Sequence, residues 1–247
     1  LIDLQKAGKA VGIYSACTAN PLVIRACLQK AKDTHSILLV EATANQVDQY
    51  GGYTGMKPAD FIQFVQKLAK EVASDLTVLY GAEIYYSSEL MDKLEKKIIP
   101  SINGSFYVLI EFSQNAKLWE IKTGLTNILR MGFIPVIAHA ERYQSFENNE
   151  NYLKELINMG CYVQINSSSV LKYKWFFDKN RLFKKRAKYY LDRDLVHCVA
   201  SDMHHLSKRP AYMKEAFEII SHKYGLKKAN ELFVENPNRI VTNQMIE

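Results

Sequence analysis

Five side chains able to hold a hard cation each follow a short apolar run: Glu83, Glu111, His139, Asp202 and His204. Carboxylate oxygen and neutral imidazole are donors that Mn²⁺, Mg²⁺ and Zn²⁺ accept. Glu83, Glu111 and His139 read as one three-ligand set. Asp202 and His204 read as neighbouring ligands, because residues two apart on an extended chain face the same way. Taken singly, each has an ordinary alternative. A Glu after a strand often caps a helix or pairs with a cation, and a lone His there is more often simply hydrogen-bonded. The recurrence points to one shared pocket. Arg142 and Arg209 follow His139 and His204. Guanidinium forks fit phosphate oxygens, so the predicted small partner is a phosphate or sulfate anion, against solvation as the commoner fate of an arginine.

These groups need elements to position them. The runs at 76–80, 106–110, 133–138 and 195–200 are short, apolar and rich in Val and Ile, which predicts buried parallel strands. When such strands alternate with helices, ligand groups gather at the carboxyl ends of the strands. Further strands are expected at 10–15, 36–41 and 161–166. Helices are expected at 21–32, opened by Pro21, at 58–73, at 116–131, at 147–159, in the second half of 172–191, and near 212–224 and 227–234. Ser87 or Ser88 is placed to cap a short helix running to Lys97. Seven strand and helix pairs without a linker predict an α/β fold, a single TIM-like (βα) barrel of seven parallel strands over residues 1–247.

Polar groups after the second strand (Glu41, Thr43, Asn45, Gln46) and the sixth (Gln164, Asn166 and Ser167 to Ser169) are placed to face the same pocket. The glycines Gly51, Gly52 and Gly55 match no phosphate-loop pattern. The formal charge of +6 is densest at Lys184, Lys185, Arg186 and Lys188, on an amphipathic stretch read as a solvated face. No long basic stripe or known motif predicts a nucleic-acid partner. No apolar stretch approaches the roughly 20 residues that cross a bilayer, so no membrane partner is expected. Cys17, Cys27, Cys161 and Cys198 lie in apolar segments without CxxC spacing, which predicts reduced, mostly buried thiols in a cytoplasmic protein. Cys17 has no neighbouring base to make it a nucleophile. The chain opens Leu-Ile-Asp-Leu without Met or a basic leader, so the expectation is no secretory signal and the removal of something upstream.

Several stretches carry a family resemblance: Gly81-Ala-Glu-Ile-Tyr-Tyr86, Leu109-Ile-Glu-Phe-Ser113, Ile137-Ala-His-Ala-Glu-Arg-Tyr143, Gln164-Ile-Asn-Ser-Ser168 and Ala200-Ser-Asp-Met-His204 through Arg209-Pro210. From about residue 76 to 247 the chain resembles the manganese-dependent tyrosine-protein phosphatases of Gram-positive capsule loci, in the PHP (polymerase and histidinol phosphatase) superfamily. Other stretches lie upstream: Gly12-Ile-Tyr-Ser-Ala-Cys17, Asn20-Pro21, Glu41-Ala-Thr-Ala-Asn-Gln46 and Gln49-Tyr-Gly-Gly-Tyr-Thr-Gly-Met56 with Lys57-Pro-Ala-Asp60. Over residues 1 to about 75 they resemble the Z-type subunit of tagatose-bisphosphate aldolase, a TIM barrel.

The phosphatase resemblance implies that Glu83, Glu111, His139, Asp202 and His204 are metal ligands, and that Arg142 and Arg209 bind phosphate. The chain departs from that family at its first strands. Tyr14-Ser-Ala-Cys17 stands where a His-x-His motif is expected, and Glu41-Ala-Thr43 carries no histidine either. His35 precedes the second strand and belongs to its other end. With the two resemblances abutting at 71–77, the implied protein is an engineered hybrid of barrel fragments 1–75 and 76–247. It would have little or no native activity and one Mn²⁺, or Mg²⁺ or Zn²⁺, at a partial site. The alternatives are a residual metal-dependent phosphomonoesterase and a non-catalytic anion-binding module.

Overall fold

The computed structural model describes residues 14–73, 77–87, 89–96, 98–147, 150–173, 178–203 and 210–246, with backbone only at 14, 90, 91 and 150. The chain divides into two compact units, one of Leu1–Tyr80 with Lys96–Pro100, the other of Gly81–Glu95 with Ser101–Glu247.

In the first unit, β1 (Tyr14–Cys17) pairs in parallel with β2 (Leu38–Glu41) through helix α1 (Pro21–Asp33), and α2 (Pro58–Val72) follows. Asn20 starts α1 because its side chain accepts hydrogen bonds from the Leu22 and Val23 amides, and Pro21 sets the first turn. Pro58 opens α2, and the Asp60 carboxylate accepts from the Lys57 amide at 3.0 Å. Ile24, Leu28 and Ala31 recur at helical spacing on the buried face of α1. Ile24 and Leu28 pack with Val65, Leu68 and Ala69 of α2 over Leu38 and Val40. Most of the strand expected at 10–15 lies outside the described residues.

The second unit is a five-stranded sheet in the order β3 (Glu83–Tyr85), β4 (Tyr107–Glu111), β5 (Ile134–Ile137), β6 (Tyr162–Asn166), β7 (Cys198–Ala200), every neighbouring pair parallel. The connections carry α3 (Leu90–Glu95), α4 (Leu118–Arg130), α5 (Glu150–Asn158), α6 (Ser167–Val170) and α7 (Arg181–Leu191). The chain closes with α8 (Met213–Tyr224), α9 (Leu226–Asn230), a π-turn at Glu231–Glu235 and α10 (Asn236–Val241). Sequential parallel strands with intervening helices place every strand's carboxyl end on one edge of the sheet. The opposite edge is closed by the tail, where Tyr107 and Tyr162 donate to the carbonyls of Gln244 and Ile246.

Two expectations are corrected. The described strands form one two-stranded and one five-stranded sheet, not a seven-stranded barrel. The third strand was expected to run from 76 and end at Glu83, whereas Glu83 opens it. The apolar run before it does not report burial, since Leu79 is 55% exposed. No helix among the described residues is long and apolar enough to cross a membrane.

Candidate metal and phosphate site

Successive strands deliver the site's groups. Glu83 pairs in register with Leu109 and Tyr85 with Glu111, so Glu83 and Glu111 project from the same face. His139 lies two residues beyond the end of β5. Its Nε2 is 3.0 Å from Glu83 Oε1 and 3.3 Å from Glu111 Oε1. One ligand atom from each of the three residues lies within 4.8 Å of the others. Donors sharing an ion at about 2.0–2.6 Å stand up to roughly 4–5 Å apart, so the donor set fits one divalent cation. The imidazole is buried, while the Glu83 and Glu111 side chains are 38% and 32% exposed. The carboxylates thus line the approach and the histidine its floor.

Burial by itself pulls the His139 pKa down, but hydrogen bonds to Glu111 and Glu83 outweigh it, against repulsion from Arg142, and raise the group to about 9. Without a cation, a proton on Nε2 holds the two carboxylates together. A cation would take that proton's place.

The backbone at the site is strained. His139 has φ 33° and Asp202 φ 46°, left-handed values that cost a non-glycine residue on the order of 1 kcal/mol. His139 is held there from both sides, its amide donating to Gln164 Oε1 at 2.7 Å and its carbonyl accepting from the Arg142 amide at 2.9 Å. Gln164 is anchored in turn, donating to Ile165 O at 2.8 Å and Asn166 Oδ1 at 3.1 Å. His139 Nδ1 is buried with no partner among the described residues. The imidazole's direction is therefore set from the Nε2 side, by Glu83 and Glu111, with the Tyr143 ring alongside at 6.1 Å between ring centres.

Asp202 stands outside this three-donor cluster. Its Oδ2 accepts from Arg142 Nη2 at 2.6 Å and from Asn166 Nδ2 at 3.1 Å. His204 and Arg209 lie outside the described residues. The polar groups ending β1 and β2 satisfy one another: Ser15 donates to Glu41, and Gln46 Oε1 accepts from the Thr43 amide at 2.9 Å. Cys17, expected to be buried, is exposed, whereas Cys161 and Cys198 are buried. Partial burial and then Glu41 push the Cys17 thiol up, away from a reactive thiolate.

Three residues given no role by sequence support the site. Glu141 is fully buried, its Oε1 accepting from the Asn166 amide at 3.1 Å and from Ser169 Oγ at 2.7 Å. Burial raises its pKa, and hydrogen bonding from Ser169, from its own amide and from the Asn166 amide opposes the rise. Tyr143 Oη accepts from the Phe112 amide at 3.0 Å, tying the turn after His139 to the residue after Glu111. Arg186, expected on a solvated face, is 6% exposed; it donates to Glu141 O at 3.2 Å and to Glu147 Oε2 at 2.7 Å. Lys184 is also buried, donating to Asp178 Oδ2 at 2.9 Å. Helical spacing carried the signal for both, since Lys184 stands three residues before the buried Ala187 and Arg186 four before the buried Tyr190.

The sequence profile of the family described as capsular polysaccharide synthesis, CpsB/CapC, matches residues 28–242. The tyrosine-protein phosphatase CpsB of Streptococcus pneumoniae is 58% identical over 187 residues, 76% of this chain and 76% of that protein. The CpsB of Streptococcus agalactiae serotype III (strain NEM316) is 48% identical over 193 residues, 76% of this chain and 79% of that protein. A chain from the crystal structures of YwqE from Bacillus subtilis and CpsB from Streptococcus pneumoniae, described as unique metal-dependent tyrosine phosphatases, aligns with a TM-score of 0.70 at 25% identity. That alignment covers 94% of this chain and 91% of that chain.

These matches overturn the engineered hybrid. The family profile spans residues 71–77, where an aldolase-like part was expected to end, and reaches back to residue 28. The expectation of an engineered protein with little or no native activity falls with it. The histidines absent from the first strands do not outweigh the ligand set that β3 to β5 deliver. The chain belongs to the capsular polysaccharide synthesis CpsB/CapC family.

Proposed function

We propose that this protein is a metal-dependent phosphomonoesterase of the tyrosine-protein phosphatase type, with Glu83, Glu111 and His139 holding one divalent cation and Mn²⁺ the first candidate. The observation that carries the reading is the convergence of two carboxylates and one imidazole at 3.0 and 3.3 Å on consecutive parallel strands. The relatives named for that activity support it. A divalent cation supplies Lewis-acid stabilisation of the charge that develops on a transferring phosphoryl group.

The chain's own residues do the rest. Glu83 and Glu111, which are partly open to solvent, would hold the ion and offset its charge. His139 would offer Nε2 as the third ligand, which requires that nitrogen to be unprotonated. Arg142, three residues beyond His139, offers a guanidinium fork to the non-bridging oxygens of a phosphomonoester, with Asp202 setting its direction. His204 and Arg209 enter as a further ligand and a second phosphate-binding arginine on the strength of the sequence alone. The net charge of +6 favours approach of a dianionic ester.

Hydrolysis of p-nitrophenyl phosphate and of a phosphotyrosyl peptide, with Mn²⁺ and then with EDTA, tests the reading. His139→Ala should lose bound metal and at least about a hundredfold in turnover, the scale of a few kcal/mol of charge stabilisation. Turnover that survives both chelation and His139→Ala would sink it.

A further inference from the structure

We propose that Glu141 is a positioning residue for phosphate, whose buried carboxylate closes a ring of contacts that aims the guanidinium of Arg142. The inference rests on the reading of Arg142 as a phosphate-binding group.

A carboxylate that is 0% exposed is costly unless its oxygens are well satisfied. Glu141 is satisfied on one side only. The bonds from the Asn166 amide and the Ser169 hydroxyl converge on Oε1, and Oε2 has no partner among the described residues. Arg186, the nearby guanidinium, bonds the Glu141 backbone carbonyl and the Glu147 carboxylate. An apolar residue here would leave the Asn166 amide and the Ser169 hydroxyl without their acceptor, so burial alone does not account for an acid at this place.

Geometry does. The Glu141 carboxylate pins the Asn166 amide at the end of β6 at 3.1 Å. The Asn166 side chain donates to Asp202 Oδ2, at 3.1 Å. That same oxygen accepts from Arg142 Nη2 at 2.6 Å, and Arg142 is the covalent neighbour of Glu141. The ring Glu141, Asn166, Asp202, Arg142 therefore spans the turns after β5 and β7 and the end of β6. Ser169 Oγ, 2.7 Å from Glu141 Oε1, braces it from α6. An arginine held by such a ring keeps its fork in place before the anion arrives. A misplacement of about 1 Å in such a group costs on the order of a hundredfold.

The test is a double-mutant cycle read on inorganic phosphate, by competition against p-nitrophenyl phosphate in the Mn²⁺-loaded protein and by calorimetry. Glu141→Ala should weaken phosphate binding about tenfold, the part of that misplacement cost a loosened but still tethered arginine would forfeit. Mn²⁺ affinity should fall by less than phosphate affinity, because none of the three cation donors belongs to the ring and the Gln164 contact that holds the His139 amide is left in place. In an Arg142→Ala background, adding Glu141→Ala should weaken phosphate by less than about twofold further. Ser169→Ala should shift phosphate binding in the same direction by less than Glu141→Ala, and if Glu141→Ala does not fold, the cycle is run with Ser169→Ala. Unchanged phosphate binding in folded Glu141→Ala, additive losses in the cycle, or an equal loss of Mn²⁺ would each overturn the inference. Arg142→Ala alone is the separate control. If it leaves phosphate binding untouched, the functional reading of Arg142 fails independently of Glu141.

Discussion

Raising the pH from 7 to 9 should tighten binding of a divalent cation at Glu83, Glu111 and His139 and reduce the number of protons released as it binds. The reason is the His139 proton, held by the two carboxylates until a group raised to about 9 gives it up. At pH 7 only about one His139 in a hundred is then deprotonated, a penalty of roughly 2.7 kcal/mol on metal binding that shrinks tenfold in affinity per pH unit. The stability of the metal-free protein runs the other way. A folded value above the unfolded 6.5 means that the protonated ring stabilises the fold fully below pH 6.5. That stabilisation, about 3 kcal/mol, is lost as the pH rises through 9. Calorimetric titration with Mn²⁺ under argon, in buffers of different ionisation heat, reads both quantities. Close to one proton should leave per cation at pH 7 and about half at pH 9, with affinity levelling off above that. An affinity flat between pH 7 and 8.5, with no protons released, would show that the imidazole is already neutral between the carboxylates and would refute the exchange.

His197 should act in the opposite pH range. Burial first, and Lys228 second, lower it to about 4, and its Nδ1 accepts from the Val163 amide at 3.1 Å, which only an unprotonated nitrogen can do. Its contribution is intact above pH 6.5 and is lost as the pH falls from there through 4, up to about 3 kcal/mol. Chemical denaturation of His197→Asn should accordingly show a flatter stability profile across that window. Gly124 of α4 faces the rings of Tyr86 and Phe112, which an added Cβ would meet at 2.8 and 2.9 Å. Gly124→Ala should therefore destabilise by about 1–2 kcal/mol despite the better helix propensity of Ala, and a raised melting temperature would contradict this packing. Tyr143→Phe keeps the buried ring but leaves the Phe112 amide without its acceptor, an expected loss of about 1–3 kcal/mol in denaturant unfolding.

What could be read from the sequence was whatever repeats locally. Asn20 before Pro21, and Lys57-Pro58 with Asp60, announced helices because caps and first turns are short-range chemistry. The runs ending near Glu111, His139 and Asn166 announced strands because both faces of those strands are buried. The same logic failed at 76–80, where composition resembles a core strand but Leu79 stays exposed. It failed again at Arg186 and Lys184, whose charge outweighed a helical spacing that buries them. Glu141 gave no periodic signal at all, since its burial depends on Asn166 and Ser169, both more than twenty residues away.

The candidate centre shows the same division between local and distant causes. Each strand end contributes a single group that has an ordinary explanation taken alone, and only parallel register makes neighbours of Glu83, Glu111 and His139. Register does not complete the site. His139 and Asp202 lie two residues past their strands, where an extended chain would carry both side chains onward, and left-handed turns at φ 33° and 46° redirect them. That strain persists because Gln164 holds the His139 amide, while Arg142 and Asn166 hold the Asp202 carboxylate. The groups that would meet the cation and the phosphate are thus fixed by the strand between them, β6, which supplies Gln164 and Asn166 and none of the three cation donors. Substitutions in β6 should consequently alter both metal and phosphate binding, whereas substitutions at Glu83 or Glu111 should alter the metal first.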